Sequence, residues 1–148
     1  MSSAKSADVA FEGINPILRV DNITTSVNYY VRVLGFKLDW GGSFFASVSR
    51  GKCHIFLSCG DQGRSGGWVW IGVGDVDALL KEYQGSGAKI RHAPTNYPWA
   101  YEMQVEDIDG NVLRIGSEAK SNEPIGEWLD MLGQRWLPLP EGGWKPAK

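Results

Sequence analysis

The feature that most constrains this chain is a repeat of itself. Setting Val20 on Val73 places Ile23 on Val76, Val27 on Leu80 and Tyr30 on Tyr83, an offset of 53 residues. Each copy reads as a strand, a helix and three further strands. In the first copy Ile14–Val20 is an apolar strand, with Pro16 near its start because proline cannot donate to a ladder. Thr24 or Thr25 supplies a cap, and Val27, Tyr30, Val31 and Leu34 form a helical stripe that Gly35 ends. Strands follow near 36–40, 44–49 and 53–58, the last two joined by Arg50-Gly51-Lys52. In the second copy Trp68–Val73 is the strand and Asp75 caps a helix over 78–84. Strands near 89–92, 101–106 and 111–116 complete it, with a turn at Asp109-Gly110-Asn111. Neither copy covers both faces of its own sheet. The expected fold is therefore α+β, with two βαβββ modules forming a curved half-barrel sheet, helices outside and a trough inside.

The chain divides into an arm (1–12), a domain (13–118, with modules 13–60 and 67–118) and a C-terminal extension (119–148). Gly60 to Gly67 links the modules. In the extension, Pro124 suits a first helical turn. Ile125, Trp128, Leu129, Leu132 and Trp136 recur at helical spacing, so a C-terminal helix is expected, ending at Pro138, Pro140 and Gly142-Gly143. Such a helix covers its own domain, closes one end of the trough, or crosses to a partner subunit.

Strand alternation sorts the side chains. Cys53, Ile55 and Leu57 face a helix, so His54, Phe56 and Ser58 face the trough. Val69, Ile71 and Val73 face the other helix, which turns Trp68, Trp70 and Gly72 inward. Leu113 and Ile115 go outward, Val112 and Arg114 inward. On the first strand Leu18 and Val20 go outward, Asn15, Ile17 and Arg19 inward. A trough walled by Phe56, Trp68 and Trp70 suits a flat aromatic ligand.

Composition supports stacking over chelation. There are seven Trp but only two His and two Cys. Cys53 and Cys59 do not have CxxC spacing and read as reduced thiols. With 15 basic and 17 acidic residues the net charge is −2, which offers nothing to a nucleic-acid backbone. No apolar run approaches the ~18 residues of a membrane span. The start, MSSAKSADVAFEG, lacks an apolar signal core. Together these make a cytoplasmic location the expectation.

The repeat, Leu34-Gly35-Phe36 and Asp107-Ile108-Asp109-Gly110-Asn111 together resemble the glyoxalase/bleomycin-resistance (vicinal oxygen chelate) superfamily, from about Ile14 to Gly116. The resemblance implies that metal-dependent members place ligands at the positions of Asn15, Phe56, Trp68 and Arg114. Phenyl and indole rings carry no usable lone pair and arginine does not deprotonate. No metal or other cofactor is expected here. The closer resemblance is to the bleomycin-resistance binding proteins. It is carried by Phe45–Arg50, Ile55–Ser58, Trp68-Val69-Trp70, Pro98-Trp99 and Glu102. It implies a homodimer whose groove lies across two subunits and binds the antibiotic unaltered, with Phe45 and Trp99 sandwiching a flat ring system. It also makes Pro16 a hinge for exchange of the arm between subunits. The extension and the mild acidity depart from that subfamily.

The expected ligand-binding set is Phe45, Phe56, Trp68, Trp70, Trp99, Asn15, His54, Ser58, Glu102, Gln104 and Arg114, with no catalytic residue. The rival is an enzyme of the same superfamily, a lyase, isomerase or dioxygenase. It would use His54 with Glu102 or Glu106, or relocated metal ligands.

Overall fold

The repeat reappears in the path of the chain. The computed structural model describes residues 8–148. The first module runs β1 (Ile17–Arg19), α1 (Ile23–Arg32), β2 (Lys37–Gly41), β3 (Phe45–Arg50) and β4 (Cys53–Ser58). The second runs β5 (Trp68–Gly72), α2 (Val76–Ser86), β6 (Lys89–Asn96), β7 (Tyr101–Glu106) and β8 (Val112–Ser117). Their sheets have the same order, β1-β4-β3-β2 and β5-β8-β7-β6. In each, the first strand pairs in parallel with the last of its module and the rest is antiparallel. The fold is α+β, as the repeat required. Pro16 precedes an edge strand, where its missing donor costs no ladder bond.

Alternation places the outward sets where expected. Leu18, Val20, Ile55 and Leu57 meet Leu113 and Ile115 in one buried cluster. Tyr30 from α1, Leu34 just after it, and Tyr83 from α2 pack in the same cluster. Asp75 caps α2 by accepting from Ala78 N. At α1 the cap is Asn22, which accepts from Thr25 N; Thr24 and Thr25 lie inside the helix. An asparagine oxygen satisfies the same orphan amide as a threonine hydroxyl.

Polar bonds tie the modules together. Tyr30 Oη donates to Asp107 Oδ2 at 2.8 Å, Asn111 Nδ2 to Arg19 O at 3.0 Å, and Tyr83 Oη to Leu34 O at 2.8 Å. Asp107 also accepts from the Asp109 and Asn111 amides and from Asn111 Nδ2. Burial pushes the Asp107 carboxyl and the Tyr30 phenol above their ordinary values. The Asp107–Asn111 signature is thus an inter-module staple.

The extension corrects the expected helix. It forms a third sheet of β9 (Trp128–Leu129), β10 (Arg135–Pro138) and β11 (Trp144–Pro146). Turn chemistry overrides the apolar period. The Asp130 carboxylate accepts from the Leu132 and Gln134 amides, and Gly133 adopts φ 82°. That closes a hairpin where the stripe called for a second helical turn. Leu132, assigned to the buried stripe, is 85% exposed. Residues 1–7 of the expected arm lie outside the described residues; 8–12 are exposed and irregular.

Candidate functional site

The inward faces of the two sheets carry different groups. On the first, Phe45 stacks on Trp40 (centroids 5.9 Å apart, 23° between planes), and Phe56 tilts against both. Beside them Asp39 accepts from Ser49 Oγ at 2.7 Å and Ser47 Oγ at 3.1 Å, with His54 Nδ1 at 3.3 Å. The Ser49 hydroxyl above all holds the Asp39 carboxyl below its usual range. Asp39, not Glu102 or Glu106, is the partner of His54. Ser58 is buried at the end of β4 and accepts from the Gly60 amide. Asn15 is exposed ahead of β1 and joins no side-chain group among the described residues.

On the second sheet one carboxylate organises the site. Glu102 on β7 is 1% exposed. Its Oε1 accepts from Trp99 Nε1 at 2.6 Å, Arg114 Nη2 at 3.0 Å and Trp70 Nε1 at 3.3 Å; its Oε2 accepts from Arg114 Nε at 2.8 Å. Two indoles and a guanidinium therefore satisfy a buried charge that would otherwise be costly. Trp70 lies flat across Gly72 and Gly116, where a Cβ at either would come within 3.1 Å of its ring. The ring is a platform, half exposed, as is Trp99. Trp99 in turn stacks on Tyr97 at 4.9 Å and 6°. Burial pushes the Tyr97 phenol up to about 12.

The third sheet roofs this same face. Gln104 Nε2 donates to Leu129 O at 2.9 Å, and Arg91 Nη2 to Asp130 O at 2.7 Å. Arg91 also donates to Gln104 Oε1. Its guanidinium lies 5.2 Å from the Trp68 ring, and Trp68 tilts against Trp128. Trp128, Trp136 and Trp144 join Trp99 around a cavity of about 350 Å³.

The structure thus brings together Trp68, Trp70, Trp99, Glu102, Gln104 and Arg114 on one sheet, and Phe45, Phe56 and His54 on the other. Among the described residues no ring contact joins the two sets, so Phe45 and Trp99 do not meet within one chain. The expected ligand-binding set omitted Trp40, Asp39, Tyr97, Arg91, Trp128, Trp136 and Trp144. Trp136 carried a usable signal in its spacing from Asp130, a turn former that its indole reaches at 2.9 Å.

The residues at the superfamily metal positions do not fit an ion. Phe56 and Trp68 offer rings, and Arg114 is committed to Glu102. Among the described residues no three His, Cys, Asp or Glu side chains stand close enough to share a metal. No helix among them is long and apolar enough to cross a membrane.

Comparison with known proteins agrees with this architecture. A relative in Mycolicibacterium smegmatis, itself uncharacterised, is 32% identical over 109 residues, which is 70% of this chain and 91% of the relative. The bleomycin-binding protein of bleomycin-producing Streptomyces verticillus, solved with copper(II)-bleomycin, superposes with a TM-score of 0.65 at 26% identity. That match covers 76% of this chain and 99% of the other. The bleomycin resistance determinant encoded on transposon Tn5 shares the fold, with a TM-score of 0.64 at 19% identity, over 73% of this chain and 98% of its own. The profile of the Glyoxalase/Bleomycin resistance protein/Dioxygenase superfamily matches residues 13–115, and the chain belongs to that superfamily.

Proposed function

We propose that this protein binds a flat aromatic antibiotic of bleomycin type and sequesters it unaltered. The observation that carries this reading is the Glu102 hub. It holds Trp70 and Trp99 by their N–H groups, and each remains about half exposed. Rings fixed in this way stack on a ligand with little further loss of conformational freedom. The likeness to a protein solved with bleomycin bound supports the ligand class. The half-sites sit on separate sheets, and a homodimer that sets Phe45 of one subunit opposite Trp99 of another completes the groove. A soluble, cytoplasmic binder accords with the lack of an apolar spanning helix among the described residues.

Titration with bleomycin, followed by tryptophan fluorescence, tests the reading. Mass spectrometry of the recovered drug accompanies it. Saturable quenching with intact drug is the expected result. An unresponsive spectrum overturns the ligand. A changed drug mass favours the second reading, an enzyme. One observation speaks for that alternative: Asp39 lies 3.3 Å from His54 Nδ1. A carboxylate there fixes the imidazole with Nε2 free to take a proton.

A further inference from the structure

The third sheet creates a cavity that the duplicated fold does not supply by itself. Three of its four walls, Trp128, Trp136 and Trp144, come from the extension, which lies beyond the family match at 13–115. Trp99 meets Trp128 edge to face at 5.9 Å and Trp144 at 6.3 Å. Trp136 lines the same cavity yet makes no ring contact with them among the described residues. Open space therefore separates its indole from the other three.

We propose that this open cluster of four indoles binds a methylated ammonium cation, the headgroup of a small quaternary amine. The walls are four indoles with few polar groups. Two of the four indole N–H groups are already spent, Trp99 on Glu102 at 2.6 Å and Trp136 on Asp130 at 2.9 Å. A ligand that needs hydrogen bonds finds little there, whereas a quaternary ammonium needs none. Donation to a carboxylate also polarises each indole and makes its face a better seat for positive charge. The cluster already holds cations of its own. The Arg114 guanidinium lies 5.0 Å from the Trp128 ring and 5.9 Å from Trp99. Its charge is balanced by Glu102. Asp130 stands behind Trp136 as an ionised carboxylate, kept so chiefly by the Trp136 N–H. The volume, about 350 Å³, admits a headgroup and the start of its chain. The site shares Trp99 with the proposed antibiotic groove, but its test uses no antibiotic and its variants are made at Trp136.

The experiment uses the full chain at constant ionic strength. Tetramethylammonium, choline and 3,3-dimethylbutan-1-ol, the neutral isostere of choline, are titrated against tryptophan fluorescence, with sodium chloride as the blank. Saturable responses to both cations are expected, with the isostere at least tenfold weaker. Trp136→Ala should weaken choline at least tenfold. Trp136→Phe, which keeps an aromatic wall, should weaken it only a few-fold, so a misfolded alanine variant does not decide the matter. Equal affinity for choline and its isostere would reduce the site to an apolar hole and overturn the proposal. A tetramethylammonium response no larger than that of sodium would overturn it too.

Discussion

Arg114 grips Glu102 with two nitrogens, Nε at 2.8 Å and Nη2 at 3.0 Å. The carboxylate is almost fully buried, and Trp70 and Trp99 both donate to its Oε1. Removing one partner of a buried pair strands the other. Glu102→Ala should therefore cost about 3–5 kcal/mol in urea unfolding. Glu102→Gln, which keeps the shape and one acceptor, should cost less. An unchanged unfolding midpoint in the alanine variant would show that the hub is dispensable.

The two proposed stacking rings should carry the antibiotic affinity. Trp99→Ala should weaken bleomycin by about 2 kcal/mol, roughly thirtyfold. Phe45→Ala should do likewise. Trp40→Ala should do less, since the proposed sandwich assigns the drug contact to Phe45, on which Trp40 stacks. Calorimetric titration of the three variants checks the order. A Trp99 variant with an unaltered dissociation constant would refute the sandwich.

Docking of the extension passes through one tight contact. A Cβ at Gly126 would run into the Thr95 methyl, while the Gly126 amide donates to Asn96 O at 2.9 Å. Gly126→Ala should cost about 1–3 kcal/mol by overpacking. Adding Thr95→Ser removes that methyl and keeps the hydroxyl that donates to Ala93 O. The double variant should recover most of the loss. A double-mutant cycle in urea measures the coupling, and strict additivity would count against the contact.

Acid should loosen the turn of the tail at Asp130. Donation from Trp136 Nε1, then from the Gln134 and Leu132 amides, holds the Asp130 carboxyl below its ordinary 3.8. A depressed value means that the folded state prefers the ionised form. Its stabilisation is therefore complete above the unfolded value of about 3.9 and fades as pH falls through the lower folded value. Tryptophan emission should shift across that window in the native protein. Asp130→Asn should remove this transition; its persistence would assign the shift to another group.

Much of the scaffold was legible because its signals were periodic. Ile55 and Leu57, or Leu113 and Ile115, alternate with inward residues and reach the core as alternation demands. The site was legible only where the strands stay regular. A bulge between Leu38 and Trp40 puts Asp39 and Trp40, neighbours in sequence, both at the inward face. Alternation cannot anticipate that, so the partner of His54 went unseen. Two register shifts in β6 have the same consequence around Arg91. The extension was misread for a different reason. Apolar spacing from Ile125 to Trp136 fits a helix, but Asp130 and Gly133 supply a turn in its middle. The local turn prevailed over the longer pattern.

The roof over the second sheet is made after every strand of the duplicated scaffold. Synthesis proceeds from the N-terminus, and domains fold as they emerge. Trp68, Arg91 and Gln104 are synthesised before residues 128–146, and until then the Gln104 amide lacks Leu129 O. A premature stop just past Ser117 would spare every strand of the duplicated scaffold. It would delete three of the four tryptophans around the cavity. A single nonsense codon in that stretch therefore removes three walls of the cavity and no strand of the two repeated modules.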